Sequence, residues 1–151
     1  MIIFALRHAD RVSDDVDALS DKGKARADLL ARMLAPGHVS NAYCSDAKRT
    51  QATIAPLKTM LGAGLKVNVV PVGSGGPAAH AQAIVSALNA LPADSTAVVV
   101  GHSNTIDLII KALTGKVITP IGPNEFDNLF VLSVPAGSPS LTLLKYGAPT
   151  P

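Results

Sequence analysis

The chain has 151 residues, 48% of them apolar (AVILMFWYC) and 16% charged, with a formal net charge of +2. This balance reads as one soluble globular domain, able to bury roughly two-thirds of its extended surface, and excludes a disordered chain. Its 13 Lys and Arg are scattered rather than gathered into a tail, so nucleic acid is not an expected partner, and its apolar runs, such as Ile2 to Leu6 and Ala97 to Val100, are too short for a membrane span.

Ile2 to Leu6 is an apolar run ending at charged residues, the pattern of a strand covered on both faces. Without a basic stretch before it, the run is not read as a signal peptide, and a cytoplasmic location is the default expectation. Arg7 to Asp17 reads as a loop. From Ser20 to Leu34 a helix is predicted, capped by Ser20, with Ala27, Leu30, Ala31 and Leu34 at helical spacing and Pro36-Gly37 as its stop. Gly23 costs that helix roughly 1 kcal/mol relative to Ala.

Val39 to Cys44 predicts a second strand and Ala47 to Leu61 a helix ended by Gly62 and Gly64; Pro56 inside it predicts a kink or a break. Lys66 to Val70 is a third strand, followed by a glycine-rich loop over Pro71 to Pro77 and a helix over Ala78 to Leu91. Thr96 to Val100 is a fourth strand, Gly101 to Asn104 a turn, and Thr105 to Leu113 a helix. Phe126 to Val134 and Leu141 to Leu144 are two strands joined through Pro135 to Pro139 without a helix between them. Alternating strands and helices closing on such a pair predict a three-layer α/β/α sandwich, its sheet mostly parallel and Rossmann-like with an antiparallel edge. No repeat or linker divides the chain, so one domain over 1–151 is expected. The single cysteine, Cys44, rules out a disulfide framework and reads as a buried small residue.

Open α/β sheets bind ligands beyond the carboxyl ends of their strands. His8 follows the first strand there and His102 the fourth, while Arg7 ends the first strand and Arg49 opens the helix after the second. Two arginines, two histidines and helix starts converging on one sheet edge make an anion site whose natural guest is a phosphate. Guanidinium groups match phosphoryl oxygens in pairs, and imidazole serves as nucleophile when neutral or donor when charged. Neither histidine has the carboxylates and third histidine that a zinc or iron site wants, so no metal and no cofactor are expected. Gly73, Gly75 and Gly76 do not form a dinucleotide-binding Gly-x-Gly-x-x-Gly arrangement.

These motifs resemble those of a known family. Arg7-His8-Ala9 resembles the Arg-His-Gly signature of the histidine phosphatase superfamily, also called phosphoglycerate mutase-like. Ser45 to Thr53 resembles its Ser-x-x-x-Arg-x-x-x-Thr segment, and Gly101-His102-Ser103-Asn104 its second histidine motif. The resemblance spans nearly the whole chain and is closest to the small phosphohistidine phosphatases. It implies that His8 is the nucleophile that becomes phosphohistidine, that Arg7 and Arg49 hold the phosphoryl oxygens, and that His102 completes the pocket as a donor. Asn104 is a lesser substrate contact.

The chain departs from the family at Ala9, where glycine is usual, and at the general acid. Mutases and broad phosphatases of the family carry a glutamate beyond the third strand, whereas Pro71 to Ala83 contains no carboxylate; the phytase-like branch has an acid where Ser103 stands. The substitutes are Asp10, against a reading as a loop-capping residue, and His80, against a reading as a surface residue at a helix start. Arg11, Lys22 and Lys48 read as ordinary solvated charges. No segment is long enough for the insertion that covers the pocket in mutases, so an open mouth is expected. The expectation is a metal-independent phosphatase that hydrolyses a phosphohistidine protein or another phosphomonoester through a covalent phosphohistidine intermediate on His8. The alternatives are a small-molecule phosphomonoesterase or mutase, and a module that binds phosphate or a phosphopeptide without turnover.

Overall fold

The two most apolar runs, Ile2–Arg7 (β1) and Thr96–Gly101 (β4), lie side by side and parallel at the centre of a six-stranded sheet. The computed structural model describes residues 1–135 and 137–151; of the loop predicted at Pro135 to Pro139, Ala136 lies outside the described residues. Asn41–Cys44 (β2) and Lys66–Val69 (β3) extend the sheet from β4, and Asn128–Ser133 (β5) and Ser140–Lys145 (β6) extend it from β1, in the order β3-β2-β4-β1-β5-β6. β1 to β4 are parallel, and β5 runs against both of its neighbours.

Alternate side chains of the central strands serve two cores, which is why no polar residue interrupts them. Ile3, Ala5, Ala97 and Val99 face the helices Gly76–Asn89 (α3) and Ile106–Thr114 (α4), while Leu6, Val98 and Val100 face Asp21–Leu34 (α1) and Lys48–Leu61 (α2). The result is an α/β/α three-layer arrangement. Fully buried residues such as Leu30, Ile54, Leu57 and Ile109 each contribute about 1.5–3 kcal/mol by leaving water. The chain leaves β1 toward one layer and β4 toward the other, so a crevice opens where these neighbouring strands end.

Ser20 caps α1 by accepting from the Gly23 amide at 3.1 Å. Gly23 has a positive reason to be glycine: a Cβ there would lie 2.0 Å from the Asp10 carbonyl oxygen. The predicted break at Pro56 does not occur, because α2 runs unbroken from Lys48 to Leu61. Pro56 and Ala52, whose carbonyl loses its helical donor to the proline, both line an open groove between α1 and α2 where water can supply the missing bond, while Ile54 and Leu57 stay anchored in the core. α3 starts at Gly76, two residues before the expected Ala78, with Pro77 in its first turn. Cys44 is buried, which pushes its thiol pKa up to about 11. Among the described residues no helix is long and apolar enough to cross a membrane.

Candidate active site

β1 and β4 end in register, and the His8 amide extends their pairing by donating to the Gly101 carbonyl at 2.9 Å. His8 is 1% exposed. Its Nδ1 lies 2.8 Å from the Ala9 carbonyl, which can only accept, so Nδ1 carries the proton and Nε2 keeps the free lone pair. Burial, reinforced by the charges of Arg7 and Arg49, lowers its pKa to about 3 even though the Ala9 carbonyl favours the charged ring. The nucleophile candidate is therefore neutral near pH 7. Its backbone is held from α2, where Thr53 Oγ1 accepts from the Ala9 amide at 3.0 Å and donates to the Arg49 carbonyl.

His102 sits at the end of β4 in a turn closed by Thr105, whose Oγ1 accepts from the His102 amide at 2.9 Å. A Cβ on Gly101 would stand 2.7 Å from that same oxygen, so the tight turn needs glycine. The rings of His8 and His102 lie 5.6 Å apart, edge toward face. Arg49 Nη2 stands 3.3 Å from His102 Nδ1, and Ser45 Oγ stands 2.9 Å from Nε2. Guanidinium can only donate, so Nδ1 accepts, Nε2–H donates to Ser45, and Ser45 passes its proton to Thr50 Oγ1 at 2.9 Å; Thr50 in turn donates to the Ala47 carbonyl. Burial and the Arg49 charge lower the His102 pKa to about 4.

The two arginines are fixed by different means. Arg7 Nη1 donates to the carbonyls of Gly122, Pro123 and Glu125, and its guanidinium carbon lies 4.2 Å above the Phe126 ring. Burial brings its pKa down to about 10, which leaves it a cation at neutral pH. Arg49 Nη1 pairs with Asp17 Oδ1 at 2.9 Å. The same carboxylate accepts from the Lys48 and Arg49 amides, capping an α2 N-terminus that its own Ala47 leaves uncapped, and these bonds hold the Asp17 pKa below the usual range. The Nε atoms of both Arg7 and Arg49 are buried without a partner among the described residues. Two orphaned cationic donors beside one cavity fit an anion, whose oxygens would satisfy them.

That cavity has a volume of about 420 Å³ and is lined by Arg7, His8, Arg49 and His102, with Arg11 and the exposed Asn104 also in its wall. Val72, Pro77 and Pro123 complete its lining together with Ser103 and Thr105, so no carboxylate lines it among the described residues. Arg11 pairs with Asp14. Lys22 and Lys48 are exposed and outside the lining.

The two acid candidates stand elsewhere. Asp10 is not in the cavity wall: its carboxylate pairs with buried Arg26, whose Nε lies 2.6 Å from Oδ2. It does not cap its loop either; the cap on α1 is Ser20, which itself donates to the Asp10 carbonyl. His80 is no surface residue, being 1% exposed on the inner face of α3. Its Nδ1 lies 3.4 Å from the Pro71 carbonyl, and its Nε2 is buried without a partner among the described residues. Helical phase could have revealed this burial, since His80, Ala81, Ile84, Val85 and Leu88 form one stripe. The roles of Asp17 and of the 122–126 segment carry no comparable local signal, because each reaches its arginine across more than 30 residues of chain.

Among the described residues no group of three or more His, Cys, Asp or Glu side chains could hold a metal ion. Residues 6–71 match the family described as the Histidine phosphatase superfamily (branch 1). No match is found among curated proteins. The fold is shared with several solved structures. One is the protein histidine phosphatase SixA complexed with tungstate, 17% identical, with a TM-score of 0.71 over 96% of this chain and 97% of that one. A mycobacterial glucosyl-3-phosphoglycerate phosphatase is 17% identical at a TM-score of 0.67, covering 98% of this chain and 99% of that one. A third, described as mycobacterial hydrolase 1, is 18% identical at 0.70, covering 97% and 99%.

Proposed function

We propose that this chain, whose residues 6–71 match the histidine phosphatase superfamily, is a phosphatase that works through a covalent phosphohistidine on His8. The observation that carries the reading is the fixed tautomer of His8. With Nδ1–H tied to the Ala9 carbonyl and the ring kept neutral by burial, Nε2 is a ready lone pair in a cavity flanked by two guanidinium groups.

In the first step Nε2 attacks phosphorus, and the bond from phosphorus to the leaving atom breaks with its electron pair going to the leaving group. Arg7 and Arg49 neutralise charge on the three spectator oxygens, more strongly as it builds in the transition state than in free substrate. His102, once protonated at Nδ1, adds a third donor. In the second step water adds to phosphorus, the Nε2–P bond breaks, and its electron pair returns to His8. Water's two hydrogens end on the leaving group and on phosphate, so nothing else is consumed.

A cavity wall without a carboxylate favours substrates whose leaving group departs without a strong acid. Phosphohistidine on a protein is the substrate class that fits best, since its imidazole leaves readily, and the likeness in fold to a protein histidine phosphatase complexed with tungstate supports this reading. The test is a turnover screen with phosphohistidine protein, phosphohistidine peptide, p-nitrophenyl phosphate and sugar phosphates. Preferential hydrolysis of the phosphohistidine substrates is expected. Phosphate binding with no turnover of any of them would instead identify a binding module, and preference for a sugar phosphate would identify a small-molecule phosphomonoesterase.

A further inference from the structure

Arg7 is the more deeply buried of the two phosphate-binding arginines proposed above, and its own neighbours in sequence do not hold it. Its Nη1 has two hydrogens, and these are shared among three backbone carbonyls, at 2.8 Å from Gly122, 2.9 Å from Pro123 and 3.2 Å from Glu125. Phe126 supplies a floor under the guanidinium. With Nη1 so occupied, the edge formed by Nε and Nη2 is what remains, and Nε on that edge is buried and has no partner among the described residues. A guanidinium binds a phosphoryl group best through two parallel N–H bonds, which requires that this edge be held at a fixed angle.

Three carbonyls converging on one nitrogen repel one another, so the segment needs an internal lock. Glu125 provides it. Its backbone amide donates to the Gly122 carbonyl at 3.2 Å and its side chain adds the second tie: Oε2 accepts from the Gly122 amide at 2.9 Å across the turn that presents all three carbonyls, while Oε1 accepts from Lys145 Nζ at 2.9 Å. Lys145, on β6, also holds Asp127 at 2.9 Å, and Thr150 Oγ1 accepts from the Phe126 amide at 2.9 Å, so the cup is braced from the sheet edge and from the C-terminal segment. These bonds, the Gly122 amide first, keep the Glu125 carboxylate ionised below its usual range. Glu125 is absent from the cavity wall and touches no atom of His8 or Arg49 within hydrogen-bonding distance.

We propose that Glu125 is a positioning residue for phosphate binding, acting through Arg7: it closes the Gly122–Glu125 turn and so aims the free edge of the guanidinium into the cavity. The inference rests on the phosphate-site reading above, but not on turnover. Its test measures inorganic phosphate affinity by calorimetry, and kcat/KM for p-nitrophenyl phosphate, in the parent, Glu125→Ala, Glu125→Gln, Arg7→Ala and the double variant Arg7→Ala with Glu125→Ala. Glu125→Ala is expected to weaken phosphate binding about tenfold with its thermal midpoint held near that of the parent. Glu125→Gln should recover most of the loss, because the amide oxygen still accepts from Gly122. In the Arg7→Ala background the Glu125→Ala change should have no further effect, which a general loss of stability would not produce.

Should Glu125→Ala fail to fold, Glu125→Asp makes the same test, since a carboxylate one methylene shorter cannot span the turn. Unchanged phosphate affinity in the Ala and Asp variants, or an equal loss with and without Arg7, overturns the proposal. Phosphate binding without turnover in the parent would sink the phosphatase reading while the affinity series still decides the role of Glu125. A parent chain that binds no phosphate overturns both.

Discussion

Nη2 of Arg49 points its hydrogen at Nδ1 of His102 across 3.3 Å, a donor facing an acceptor. An anion entering between them brings only acceptors, so Nδ1 needs a hydrogen to face it, and with Nε2–H committed to Ser45 the expected source is proton uptake by the ring. With a pKa of about 4, His102 starts neutral at pH 7. Anion binding should therefore consume a proton, and affinity should fall as pH rises above that value, by up to about tenfold per unit until the bound-state pKa is passed. Sulfate is the suitable probe because its own charge stays constant over this range. Calorimetry in buffers of different ionisation heat should show the uptake in the parent and not in His102→Asn. Sulfate affinity independent of pH in the parent would mean that His102 binds as the neutral ring.

His8→Ala is expected to abolish turnover with its circular dichroism spectrum and unfolding midpoint close to the parent's. In the parent, a brief reaction with labelled substrate stopped in alkali should leave label on His8. Label on another histidine would reject the assignment.

Arg7→Ala and Arg49→Ala should each lower kcat/KM by about 10²- to 10³-fold, raising KM and lowering kcat together, if both groups engage the phosphoryl oxygens before and during transfer as proposed. An effect confined to KM would show that the arginine binds substrate and transition state equally.

Leaving-group dependence tests the missing acid. Across phosphomonoesters of rising leaving-group pKa, kcat/KM should fall steeply, and neither Asp10→Asn nor His80→Gln should alter that slope. Asp10→Asn has its effect elsewhere, because it strands the buried Arg26 charge and should cost about 3–5 kcal/mol in urea unfolding. A flat parent series that steepens in one variant would identify that residue as the proton donor.

Gly23→Ala should destabilise the fold by more than about 2 kcal/mol, well beyond and opposite in sign to the gain that Ala gives a free helix position, because the new methyl would overlap the Asp10 carbonyl. Chemical unfolding measures it directly. Any stabilisation would mean that the loop can move away without cost.

The parts of the site lying at strand ends were readable because the strands are. Two uninterrupted apolar runs locate the ends of β1 and β4, and with them His8 and His102, while Arg49 follows from its place at the start of the helix after β2. Helical spacing also contained the burial of Arg26 and His80, which fall in the stripes Gly23-Arg26-Ala27-Leu30 and His80-Ala81-Ile84-Val85, but polar residues at such positions read as solvated until their partners are known. The Asp17 cap on α2 and the carbonyl cup around Arg7 are tertiary. They depend on which loops meet, and neither periodicity nor turn chemistry encodes that. Pro56 misled for the converse reason: its local penalty is real, but an open groove beside the helix lets water offset it.

Arg26 does more than neutralise Asp10. Its guanidinium also donates to the carbonyls of Tyr146 at 2.6 Å and Ala148 at 2.8 Å, so the loop just beyond His8 is clamped to the segment that follows β6. On the ribosome, residues 1–110 could pair β1 with β4 and bring both histidines together while Arg26 still lacked those two acceptors and Arg7 its carbonyl cup. A nascent chain of that length would hold both histidines without the rigidity, and on the function proposed above activity is expected only after β6 has emerged and docked.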